Sequence, residues 1–187
     1  FLSVALGAQS AQIAQSTSSS GAGDGASSAE ESSSGSGGTE AVAQQCPIED
    51  RRIEGDPRAL GAVDAQVVLH EWTDFQCPYC GAFSRDTMPV LIEEYVNTGR
   101  GRLEVHDAAL VGGDTSVEIA AAVRAAGDQG RYFEYYDEVY REMAAQGESR
   151  ATYDRALLIT LAERAGVPDL DTFAASIDSG EHKSGVL

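Results

Sequence analysis

EWTDFQCPYCGAF, residues 71–83, sets two cysteines three positions apart, straight after an apolar run and straight before a helical one. The run before it, QVVLHEW at 66–72, is β-branched, short and nearly continuous in hydrophobicity, which predicts a strand covered on both faces. After it, Met88, Leu91, Ile92 and Tyr95 recur at the spacing of one helix face, so a helix is expected from Cys77 to about Asn97. Pro89 falls inside that helix and removes a backbone donor, which predicts a kink or a split. Past the Gly99-Arg100-Gly101 turn, RLEVHDAAL at 102–110 is a second strand. Strand, helix, strand makes a right-handed crossover with parallel strands.

Three chemistries use a C-x-x-C pair. Half of a zinc site is one, but the other half needs a second close pair of ligands. Cys46 stands 31 residues upstream, and His70, His106 and His182 are scattered singly along the chain, so no metal site is expected. A structural disulfide is the second, and closing so short a loop restrains the unfolded chain little. The third is a dithiol that exchanges disulfides. Cys77 falls at the N-cap of the helix and Pro78 at its first position, where the missing donor costs nothing. Unpaired N–H groups and the positive end of the helix dipole stabilise a thiolate there. Cys77 is the expected nucleophile, Cys80 the resolving thiol, and Pro78 and Tyr79 the two positions between them.

The rest of the chain sets the context. Its net charge is −17, from 13 basic and 30 acidic residues, and no basic run exceeds Arg51-Arg52, which speaks against nucleic acid as a partner. Residues 15–45 are almost all Ser, Gly, Ala, Thr and acids with no aromatic or basic side chain, the composition of a disordered tether. FLSVALGA at the start is too short to span a bilayer. It reads as the end of a signal peptide or membrane anchor occupying 1–14, against the plainer reading of a frayed apolar terminus. Residues 46–65 are rich in Gly, Pro and Asp and read as an irregular lead-in. Beyond 110 the pattern is helical: an Ala-rich stretch at 117–126, then apolar stripes through Tyr132, Phe133, Tyr136, Val139, Tyr140 and Met143, through Tyr153 to Ala165, and from Leu170 to Ile177. The aromatic stripe is expected to be core packing.

With "HEWTDFQ" before it and "GAF" after it, "CPYC" resembles the DsbA-like branch of the thioredoxin superfamily, and the helical stretch after the second strand resembles that branch's inserted helical domain. The resemblance covers about residues 46–180. It implies an α/β thioredoxin-like fold, with residues 46–110 as the first part of the thioredoxin-like domain and 111–187 as the insertion. In that arrangement the strand at 66–72 is central, and its second neighbour belongs to C-terminal strands that follow a cis-proline loop. No proline of this sequence stands in that setting, so the chain reads as a piece of a longer gene product cut at both ends.

The same resemblance implies roles. Cys77 and Cys80 match the redox pair. Glu71 matches an acidic residue beneath the active site that takes and returns the proton of Cys80, and a carboxyl group desolvated on a strand can do this near neutrality; the alternative is a solvated strand end. Asp74 reads as a polar turn residue. The activity implied is that of an exported, N-terminally tethered thiol-disulfide oxidoreductase without cofactor. It would act on cysteine-containing exported proteins and be reset by a redox partner. A reductase or isomerase of the same fold, or a tethered binding module without turnover, are the rivals. Cys46 pairs with a cysteine outside this sequence or is a free thiol.

Overall fold

The computed structural model describes residues 51–147 and 151–187. The expectations for 1–14, for the tether at 15–45 and for Cys46 lie outside these residues. Among the described residues no helix is long and apolar enough to cross a membrane.

Four strands form one sheet: β1 (Arg52–Ile53), β2 (Asp56–Gly61), β3 (Val67–Thr73) and β4 (Gly101–Asp107), in the order β1-β2-β4-β3. β3 and β4 run parallel, from Val67 opposite Gly101 to Thr73 opposite Asp107, as the crossover requires. β1 and β2 correct the expectation of an irregular lead-in. Pro57 and Gly61 mask them, yet Pro57 lies near the start of β2, where a missing donor is tolerated, and β2 joins β4 through Ala59, Leu60 and Gly61.

A second correction concerns β3. Among the described residues it pairs with β4 alone, the one neighbour that the resemblance places in this sequence, but it is covered on one face rather than on both as expected. Its residues alternate instead: Leu69, Glu71 and Thr73 turn toward the helices, while Val68 and Trp72 on the other face are 41% and 59% exposed. In β4 the same alternation buries Leu103, Val105 and Asp107.

The crossover helix α1 has four segments, Pro78–Ala82, Phe83–Thr87, Met88–Leu91 and Ile92–Val96. The second and fourth are wide i→i+5 turns, with Met88 N donating to Phe83 O and Asn97 N to Ile92 O at 2.8 Å. The wide turn before Pro89 makes room for its ring and bypasses the absent donor, so the helix changes its winding there rather than ending.

Four helices follow: α2 (Asp114–Asp128), α3 (Tyr132–Ala145), α4 (Arg155–Arg164) and α5 (Leu170–Ser179). Asp154 caps α4 by accepting from Leu157 N at 2.8 Å, and Asp169 caps α5 by accepting from Thr172 N at 2.9 Å, each supplying an acceptor to a first-turn donor. The core lies between the sheet and these helices. Leu60, Leu103 and Val105 from the strands meet Ile119 and Val123 of α2 and Tyr136, Tyr140 and Met143 of α3, all essentially without solvent contact. The aromatic stripe is therefore core packing, as its spacing predicts.

Candidate active site

The site is built where β3 ends. Thr73, Asp74, Phe75 and Gln76 are all buried, and Asp74 anchors the turn they make. Its Oδ1 accepts from Gln76 N at 2.8 Å and from Ser116 Oγ at 2.6 Å, and its Oδ2 from Val111 N at 2.6 Å. Its main-chain oxygen accepts from Cys77 N at 2.9 Å and from Tyr140 Oη at 3.2 Å. Gln76 Nε2 adds a bond to Ala151 O at 2.9 Å. A turn tied at once to α2, α3 and two loops holds the next residue rigidly. Asp74 is thus far more than a polar turn residue.

That next residue is Cys77. It sits at the N-cap of α1 in extended conformation, φ −91° and ψ 116°, with Pro78 in the first turn. Its side chain is the one at the cap, with no other side chain bonding the first-turn donors. Cys77 and Cys80 are both free thiols and both half-buried. Tyr79 between them is 85% exposed. Burial pushes the Cys80 thiol up to about 11, with a smaller opposing contribution from the Asp74 backbone and a further rise from the neighbouring Cys77. The two thiols therefore differ in kind: one stands at a helix end, the other is kept protonated.

Behind them lies a polar chain in an apolar surround. The Thr73 hydroxyl shares a 2.5 Å hydrogen bond with Tyr140 Oη, and it also lies close enough to both the Cys80 thiol and the Glu71 carboxyl to help hold charge on either. Tyr136 Oη donates to Glu71 Oε1 at 2.8 Å. Glu71 Oε2 is buried with no hydrogen-bond partner, and burial raises the Glu71 pKa against the smaller lowering by Tyr136 and Thr73. Burial also lifts the Tyr136 and Tyr140 phenols well above their ordinary range, so both stay as neutral O–H groups. Glu71 faces inward, not to solvent, and Thr73, Tyr136 and Tyr140 join it as residues that the sequence reading did not assign to a site.

Around the pair, space is shaped by close contacts. A Cβ on Gly112 would come within 2.5 Å of both Gln76 Cγ and Ser116 Oγ, so the absence of a side chain lets the loop after β4 lie against Gln76. A groove of about 530 Å³ opens there, lined by Gln76, Val111, Gly112, Ala151 and Tyr153 among others. Leu110 and Val111 at its side are 83% and 60% exposed.

A thioredoxin family model matches residues 54–184. The chain is 30% identical over 130 residues to the probable disulfide bond formation protein D of Bacillus anthracis, an overlap of 69% of this chain and 59% of that protein. It is 36% identical over 133 residues to the Na(+)/H(+) antiporter NhaA 1 of Salinispora arenicola, which takes in 67% of this chain and 18% of that protein. The chain thus spans about 59% of the length of the disulfide bond formation protein that it matches. Among solved structures it is similar to oxidised BdbD of Bacillus subtilis, with a TM-score of 0.62 and 20% identity over 76% of this chain and 73% of that one. Chlamydia trachomatis DsbA gives 0.57 and 19% over 72% and 71%. At such identities the likeness is one of fold, a thioredoxin-like sheet carrying an inserted helical domain.

Proposed function

The chain belongs to the thioredoxin family, whose model covers residues 54–184, and on that premise we propose that it is a thiol-disulfide oxidoreductase working through Cys77 and Cys80. The observation that carries this is the unequal pair: Cys77 at a helix N-cap, and Cys80 one turn in with its thiol pushed up to about 11.

In the oxidising direction, a substrate thiolate attacks Cys77 Sγ of the Cys77–Cys80 disulfide. The S–S bond breaks, its electron pair leaves on Cys80, and Glu71 supplies the proton through Thr73. A second substrate thiolate then attacks the substrate sulfur of the mixed disulfide, and that S–S bond breaks with its electron pair leaving on Cys77 Sγ. The substrate leaves with a disulfide and the enzyme keeps both electrons as a dithiol, until a redox partner takes them. In the reverse direction Glu71 takes the Cys80 proton, and the same steps run backward.

The substrates are cysteine-containing exported proteins, and the site of action is outside the cytoplasm, with the N-terminal segment as tether. Stable protein disulfides form and persist mainly in oxidising compartments, and the apolar start followed by a Ser/Gly/acidic stretch fits a tethered exported protein. Exposed Leu110 and Val111 at the groove, with exposed Tyr79 between the two cysteines, offer apolar surface for an unfolded segment. The test is oxidation of a reduced two-cysteine peptide by the full chain in its disulfide form. Transfer is expected from the parent and lost in Cys77→Ser; equal transfer by that variant sinks the assignment of Cys77, and no transfer by the parent leaves a binding module.

A further inference from the structure

On the sheet face opposite Glu71 and Thr73, the parallel register sets His70 beside Glu104 and Trp72 beside His106. His70 Nδ1 lies 2.9 Å from His106 Nε2. Glu104 Oε2 lies 3.3 Å from His70 Nδ1 and 4.0 Å from His106 Nε2. We propose that His70, Glu104 and His106 form a binding site for a divalent transition-metal ion of the zinc type.

The geometry supports this directly. Zinc bonds to nitrogen and oxygen of about 2.0–2.2 Å at tetrahedral angles place ligand atoms about 3.3–3.6 Å apart. Separations of 2.9, 3.3 and 4.0 Å bracket that range, so shifts of a few tenths of an ångström bring three atoms onto one ion. Arg102 Nη2 holds the other carboxylate oxygen, Glu104 Oε1, at 2.7 Å, which leaves Oε2 aimed at the imidazoles as an outer partner should. The short contact between the rings is an N–H···N hydrogen bond. When a metal enters, the donor ring moves its proton to its other nitrogen, and both lone pairs then face the ion. Ligation needs neutral imidazoles, so binding weakens in acid. Two nitrogens and one oxygen suit zinc-like ions rather than calcium or magnesium, which take six or more oxygens or keep their waters. His70 is 43% exposed and His106 28%, which gives an entry path and leaves a fourth position for water or a ligand from another molecule.

Trp72 makes the site readable. It is the single tryptophan of the chain, and its ring stacks on His106 at 4.9 Å and 22° and lies 5.7 Å from His70. The experiment titrates zinc sulfate into the full chain in its disulfide form, so that the Cys77 and Cys80 thiolates cannot bind. Trp72 emission and zinc retained after dialysis are both recorded. One zinc per chain is expected, with a saturable change in emission, and His70→Ala and Glu104→Gln each weaken binding by about tenfold or more. A His182→Ala control, whose imidazole pairs elsewhere with Asp128 at 2.9 Å, binds as the parent does, and calcium produces no change. No retained zinc, or undiminished retention in a His70→Ala, His106→Ala double variant, overturns the proposal.

Discussion

Replacing Glu71 with Gln preserves the size of the side chain and an acceptor for Tyr136 Oη, but removes the group that carries the proton. The consequence falls on Cys80. Desolvation is the main reason that its thiol moves from 9.0 to about 11. Each unit is a factor of ten, so near neutrality its thiolate is about 100-fold scarcer than that of an unshifted cysteine. Resolution of a mixed disulfide on Cys77 needs that thiolate, and the reverse step needs Cys80 to depart as a poor leaving group unless a proton meets it. A positioned base is worth about 10²–10⁴-fold, and the lower bound matches the deficit that Cys80 carries. The mixed disulfide of the Glu71→Gln variant should therefore live about 100-fold longer at neutral pH, the gap closing as the solution becomes alkaline enough to ionise Cys80 without help. The assay mixes reduced protein with a disulfide-bonded peptide, quenches in acid and follows the covalent adduct by mass. Adduct formation through Cys77 should proceed at the parent's rate. An unchanged adduct lifetime across neutral pH would refute the proton route through Glu71 and Thr73.

The same variant has a pH signature in stability. Unfolded, Glu71 titrates at its ordinary 4.5, while burial, against the smaller effects of Tyr136 and Thr73, raises it in the folded protein. Above 4.5 the unfolded chain gives up this proton before the folded one does, so the group's contribution to stability falls as pH rises toward the folded value and is level beyond it. Glu71→Gln has no such decline, so its Tm measured against the parent's should climb through that window; a constant difference contradicts it. Asp74→Ala strands the donors of Gln76, Val111 and Ser116, and urea unfolding should show a loss of about 3 kcal/mol. A loss of under about 1 kcal/mol would mean that solvent takes over those donors.

What could be read from the sequence was what local chemistry encodes. Cys77 at a helix start with Pro78 behind it, the crossover from β3 to β4, and the apolar stripes of α2 to α5 are all set by residues within a few positions of one another. β1 and β2 were hidden because Pro57, Gly55 and Gly61 outweigh the few apolar residues between them. The site's supporting residues are a matter of long range. Tyr136 and Tyr140 reach Glu71 and Thr73 across 65 and 67 positions, and a spacing that shows rings packing in a core says nothing about where their hydroxyls end. Thr73 had a signal: it follows Glu71 by two on a strand, hence on the same face. His70 and His106 looked isolated because they are 36 positions apart, and only the register of two parallel strands brings them together. Asp74 looked like any turn aspartate because its three donors come from the turn itself, the loop after β4 and α2.

The central claim is that Cys77 attacks and Cys80 resolves. The most direct measurement incubates full-length Cys80→Ser and Cys77→Ser chains with a disulfide-bonded peptide and maps the adduct by mass. Cys80→Ser should accumulate a stable mixed disulfide on Cys77, since no second thiol is there to release it, while Cys77→Ser, with its remaining Cys80 held up at about 11, should form almost none at neutral pH. Equal trapping through Cys80, or an adduct on Cys46 with Cys77 untouched, would contradict the account.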